Sequence, residues 1–232
     1  MKAFFKAIRD RDLEKVRGYL IKSPELVNST AKQPPKKDDG QSPLQVAFKT
    51  DNLEIARLLI ENNADINFIE SSDINSLNTP VFHDFIKALV HNTNESEIDF
   101  QSYIEMFKYL INKGVDFTKK DSYENNSLDR LIMDTDNLYQ FDHKLNWDSK
   151  SGKYIESKKG KNINTEKRLI SIYEIFIQQF LKDSEIDIDV NEYSRDTGIY
   201  DEFKIDTFSI EILNRLLIEK TGKGLRNFEN KK

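Results

Sequence analysis

The chain repeats itself. Asp12-Leu13-Glu14-Lys15-Val16 aligns with Asn52-Leu53-Glu54-Ile55-Ala56, and Leu26-Val27-Asn28 aligns with Asp65-Ile66-Asn67, at offsets of 40 and 39 positions. A unit of that length is one supersecondary motif, too small to bury its own apolar face, so neighbouring units must stack and share a core. The 8 Gly and 5 Pro among 232 residues favour long helices over a sandwich of many tight turns.

The best-defined unit runs from Asp39 to Asn67. Gly40 suits a tight turn that needs positive φ. Ser42 followed by Pro43 supplies an N-cap and a first-turn proline, whose missing N–H has no helical partner to lose. Leu44, Ala47 and Phe48 then fall at i, i+3 and i+4. Ile55, Leu58, Leu59 and Asn62 share a second helical face, with Ala56 and Ile60 beside them. The spacing predicts two short antiparallel helices.

On these residues Asp39 to Asn67 resembles one ankyrin repeat, with its turn, its Thr-Pro-Leu-His-like opening, two helices and a Gly-Ala-Asp-Val-Asn-like ending. The family places Gly where the first helix ends and again before the Ala-Asp ending. Here Asp51 and Asn63 stand instead, residue types that tolerate the left-handed conformation best after Gly. Ala7 to Asn28 reads as the second half of a preceding unit. Against a family period of about 33, its excess of about six or seven residues is assigned to an enlarged turn at Ala31 to Asp39. Asn78-Thr79-Pro80-Val81-Phe82-His83 opens a third unit and Ile104 to Phe117 closes it, with Gly114 in place and an insertion around His91 to Asp99. A degenerate fourth opening spans Asp121 to Leu128 with Leu131 and Ile132, and its partner helix is expected at Leu169 to Leu181. Phe208 to Leu217, ended by Gly222, reads as the capping helix that a repeat array needs. The resemblance implies an all-α fold, an ankyrin-repeat solenoid of about four helix-pair repeats with a C-terminal capping helix, to which the residues themselves add a small β-hairpin insertion. It implies a single domain over residues 1–232, with clear repeats over 3–121 and the degenerate repeat, hairpin and cap over 122–232.

The hairpin is expected between Phe141 and Lys161, where Leu145-Asn146-Trp147-Asp148 and Lys153-Tyr154-Ile155-Glu156 flank the polar turn Ser149-Lys150-Ser151-Gly152. Trp147, the single Trp, and Tyr154 are either partner anchors or packing for the hairpin itself. Lys158-Lys159-Gly160-Lys161 reads as a solvated loop, with phosphate contact as its alternative.

Hydrophobic residues at 38% and charged residues at 32% exclude a wholly disordered chain. The absence of Cys removes disulfides, thiolate metal sites and Cys nucleophiles together. A net charge of −5 makes attraction to nucleic acid or anionic lipid a local property at most. Charges interrupt every apolar run of the first ten residues, which with the missing apolar spans points to a cytoplasmic location and no membrane partner. His83, His91 and His143 are too widely spaced for a metal site, and no phosphate loop is present. Lys220-Thr221-Gly222 lacks the partner motifs of a β-lactamase. Asp187/Asp189 and Asp201/Glu202 could do acid–base work, yet the first pair coincides with a repeat ending, so no catalytic residue, metal or cofactor is expected.

Function follows from the resemblance, which implies a rigid surface of turn tips and first-helix faces that binds another protein. The contacts implied at the tips are Lys36, Lys37, Asp38, Ser71, Ser72, Asp73, Lys120, Ser122 and Tyr123. Those implied on first helices are Gln45, Lys49, Asp84 and Lys87. The Lys/Asn/Ile/Asp-rich composition suggests an AT-rich bacterial genome, and small bacterial proteins of this kind include immunity proteins that neutralise a toxin. The expectation is a monomeric, non-enzymatic binder of one protein. The alternatives are a host-directed effector or a hydrolase using the C-terminal acidic residues.

Overall fold

In the computed structural model the described residues are 1–32, 35–72, 74–142, 145–148, 153–156, 163–183, 186, 208–226 and 228. The chain divides into two compact units, Met1–Leu131 and Ile132–Lys232.

The first unit is helical: α1 (Lys2–Arg9), α2 (Leu13–Lys22), α3 (Pro43–Lys49), α4 (Leu53–Glu61), α5 (Val81–His91), α6 (Glu97–Asn112) and the start of α7 (Ser127–Asp142). Within each pair α1 packs on α2, α3 on α4 and α5 on α6. Between pairs, α1 meets α3 and α3 meets α5, while α2 meets α4 and α4 meets α6. The helical hairpins thus stand in a row, first helices in one layer and second helices in the other.

Local chemistry explains why the pairs look alike. Asp12 Oδ1 accepts the Lys15 N–H at 3.1 Å, and 40 positions later Asn52 Oδ1 accepts the Ile55 N–H at 3.0 Å, so both second helices start on the same kind of cap. The turn before each cap needs a left-handed residue, and Arg11 (φ 59°) and Asp51 (φ 58°) supply it. Ser42 and Gln45 form a complete capping box at the start of α3, with Pro43 in its first turn. Asn63 (φ 66°) and Gly114 (φ 83°) close α4 and α6.

The buried seam runs through Leu44, Ala47 and Phe48 of α3, Ile55, Leu58 and Leu59 of α4, and Phe85 and Leu89 of α5. Phe48 meets Phe85 edge-on at 5.1 Å between ring centroids, and Phe82 meets Phe117 edge-on at 5.0 Å. Residues 91–99 depart from the sequence expectation: they are not all insertion. The helix α5 runs to His91, a single 3₁₀ turn covers Asn92–Asn94, and Ser96 caps α6, which has 16 residues where α4 has 9. Phe100 and Tyr103 on the added turns are buried, which holds that extension against α5.

The second unit contains the rest of α7, the strands β1 (Leu145–Asp148) and β2 (Lys153–Glu156), α8 (Ile163–Asp183) and α9 (Phe208–Thr221). The strands pair antiparallel with Trp147 opposite Tyr154. The helix α7 continues to Asp142, past the Phe141 where the sequence suggests a change, and α8 begins six residues before Leu169. The helix α9 packs on α8 through a core that includes Leu169, Tyr173, Phe176, Leu213 and Leu216. Tyr173 donates its hydroxyl to Thr135 Oγ1 at 3.2 Å. Asp136 accepts the Ser209 hydroxyl at the start of α9, and burial pushes its carboxyl up to about 6. Gly222 (φ 75°) ends α9. Among the described residues no helix is long and apolar enough to cross a membrane.

Candidate functional site

Three loops at one edge of the first unit are tied to each other through their backbones. Gly40 (φ 80°) lets the second loop come so close that a Cβ there would sit 2.3 Å from the Ser71 carbonyl oxygen. The Ser71 N–H donates to Gly40 O at 3.1 Å, and Asn75 Nδ2 donates to Asp39 O at 3.1 Å. Ser72 Oγ donates to Asp39 Oδ2 at 2.8 Å. Further along, the Ser122 N–H donates to Leu77 O at 2.9 Å. The loops therefore form one continuous rim.

On this rim Lys36, Lys37, Ser71, Lys120, Ser122 and Tyr123 are exposed, and Ser72 is half-buried. Asp73 lies outside the described residues. Asp38 departs from its expected place at the surface: it is buried and accepts a hydrogen bond from Arg9 Nη1 at 2.9 Å. Ile74 and Leu77, which helical periodicity assigns to nothing, are exposed between the tips. Their signal in the sequence is that they are apolar residues in a loop.

The first-helix faces border an open groove of about 800 Å³ between α3, α5 and the added turns of α6. Lys49, Asp84, Lys87, His91 and Tyr103 line it, together with the Asp51 turn. Lys49 Nζ donates to Gln41 Oε1 at 2.9 Å. Gln45 is a second departure, because its side chain is fully buried. It accepts the Ser42 N–H at 3.1 Å and donates to Thr79 O at 3.0 Å and Asp84 Oδ2 at 3.1 Å. Burial raises the Asp84 carboxyl to about 6, against the pull of Lys49 and Gln45. Asp51 accepts from the Tyr103 hydroxyl and from Asn92 Nδ2, so the extension of the third pair is fastened to the turn of the second. Burial and that carboxylate push the Tyr103 phenol well up.

The other residues singled out by sequence do not converge. His83 is buried in α5, and desolvation lowers its pKa to about 4. Trp147 and Tyr154 sit in the strand pair. His143, Lys158, Lys159, Lys161 and the carboxylates Asp187, Asp189, Asp201 and Glu202 lie outside the described residues. Among the described residues no group of His, Asp and Glu could hold a metal ion.

A comparison with curated proteins gives no match. Among solved structures, the chain is similar to a chain in the complex of the predatory endopeptidase Bd0816 from Bdellovibrio bacteriovorus with immunity protein Bd3460. Identity is 16% over 79% of this chain and 99% of that one, and the TM-score of 0.24 is too low for the likeness to bear on fold or partner. Residues 39–71 match the model of the ankyrin repeat. They coincide with the capping box, the left-handed Asp51 and Asn63 and the α3–α4 pair, so residues 39–71 form an ankyrin repeat.

Proposed function

We propose that this chain is a non-enzymatic protein-interaction module that binds one partner protein through the rim and the adjoining groove. The observation that carries the reading is the backbone linkage of the three loops, Ser71 to Gly40 and Ser122 to Leu77. A surface whose loops are already fixed loses little conformational entropy when a partner docks. The ankyrin repeat at 39–71 supports the same reading.

The finer parts of the proposal go with it. The chain is one domain over 1–232, a solenoid of about four helix pairs in which α7 and α8 form the last repeat, the strand pair is an insertion and α9 is the cap. It works as a monomer in the cytoplasm of a bacterial cell, and its partner is a toxin that it neutralises. The Lys/Asn/Ile/Asp-rich composition supports the bacterial source.

Affinity purification from the source cell tests the reading. One protein should co-purify in near-stoichiometric amount and be lost when Lys36, Lys37, Lys49 and Lys87 are changed to Glu, with the circular dichroism spectrum unchanged. Retention of the same protein by that variant contradicts the assigned surface.

A further inference from the structure

The rim differs in charge from the rest of the molecule. The chain as a whole carries −5, yet of the carboxylates described on the rim Asp38, Asp39 and Glu70 are only 3%, 8% and 4% exposed, while Asp121 is half-buried and Glu124 is exposed. The first three are held inward: Asp38 by Arg9, Asp39 by Ser72 and Glu70 by Gln41 Nε2 at 3.2 Å. The neighbouring Lys36 and Lys37 are exposed, and Lys120 is exposed beside Glu124, with which it pairs at 3.1 Å. The same loops expose apolar side chains, Ile74 at 37%, Leu77 at 47% and Tyr123 at 71%. Leu77 and Tyr123 belong to different tips, and the Ser122 N–H to Leu77 O bond holds those tips together.

An exposed aromatic with aliphatic neighbours, framed by cations, has the make-up of an interface centre with a charged border. Resting on the protein-binding reading above, we propose that this rim docks an acidic face of the partner protein, with Tyr123 and Leu77 packed against an apolar spot at its middle and Lys36 and Lys37 meeting the surrounding carboxylates. Charge complementarity selects that occupant. Nucleic acid and anionic lipid share the negative sign, but they leave the aliphatic pair Ile74 and Leu77 without a counterpart, and the acidic remainder of the chain repels both.

A random peptide library displayed on yeast and selected against the intact chain tests this. The selected peptides should carry acidic residues around one aliphatic or aromatic residue. They should bind Tyr123→Ala and the Lys36→Glu/Lys37→Glu variant about tenfold or more weakly than the parent chain, and added salt should weaken them further. Both variants change exposed side chains, so folding is preserved. Neutral or basic winners, winners insensitive to these variants, or no winners at all overturn the proposal. Winners lost instead on Lys87→Glu, in the groove, overturn it while leaving the protein-binding reading in place. A mixed-sequence DNA duplex, or vesicles of phosphatidylcholine and phosphatidylglycerol, that bind through the same lysines when no peptide does overturn both.

Discussion

Asn28 and Asn67 make the same pair of bonds in successive repeats. Asn28 donates its amide to Asn63 O at 3.0 Å and accepts the Asp65 N–H at 2.8 Å; Asn67 donates to Gly114 O at 3.2 Å and accepts the Asp116 N–H at 2.8 Å. Each side chain bridges from the end of one helix pair to the end of the next. Asn67→Ala removes both bonds and leaves the partners near water, so it should lower stability by about 1–2 kcal/mol. The urea midpoint measures this, and an unchanged midpoint would show that the bridge adds nothing to the stack.

Gly40→Ala should be costlier for its size than any other change on the rim. The new Cβ has to enter at positive φ and within 2.3 Å of a backbone oxygen, so the Ser71 loop must move. A loss of about 1–3 kcal/mol is expected, with faster amide exchange in residues 70–79 and unaltered exchange in α1.

Leu59, fully buried in α4, and Leu58, nearly so, face the shared seam. Truncating either to Ala leaves a cavity, and the denaturant midpoint should report a loss of about 2–5 kcal/mol, larger for Leu59. A midpoint that stays put for both would contradict packing between helix pairs.

Asp84 titrates in the opposite sense to an ordinary ion-paired carboxylate. Its folded pKa of about 6 lies above the ordinary 3.8 of an aspartate, so the folded state holds its proton more tightly. That contribution to stability is present below about pH 4 and is lost as pH rises to about 6. Lys49, Gln45, Glu70 and Arg130 set the balance around it. Asp84→Asn keeps the oxygen that Gln45 donates to and removes the buried charge. It should therefore match the parent near pH 4 and exceed it by about 1–2 kcal/mol near pH 8, read from urea midpoints at the two pH values.

His83 gives the converse dependence. Burial lowers it from 6.5 to about 4, with Asp121 acting to raise it and Arg130 to lower it. The unfolded chain therefore binds the extra proton, and stability drops as pH falls from about 6.5 towards 4. Replacing it with Leu should remove that acid-side loss, so the gap between parent and His83→Leu must change across the window. A constant gap would mean that His83 is not held neutral by burial.

Much of the second helix pair is legible because its signals are local. Ser42 with Gln45, Asn52 with Ile55, and the left-handed Asp51 and Asn63 each act within a few residues of themselves. Asp38 and Gln45 were not legible as buried residues, because what buries them comes from elsewhere: Arg9 lies 29 residues from Asp38 and Thr79 lies 34 from Gln45. The early start of α6 was hidden by its polar surface, since Ser96, Glu97 and Asp99 read as loop while Phe100 and Tyr103 supply the inward face. Ile74 and Leu77 escaped notice because a loop has no period against which an apolar residue can be judged.

The clasp between neighbouring tips runs from peptide group to peptide group: Ser71 nitrogen to Gly40 oxygen, Ser122 nitrogen to Leu77 oxygen. Every amino acid but proline carries these main-chain groups, so the side chains at positions 71, 77 and 122 can be exchanged, proline at 71 and 122 apart, without loosening these joints. Mutation can rewrite what such an edge recognises while its geometry stays inherited, which gives the lineage a way to follow a changing target at small risk of misfolding.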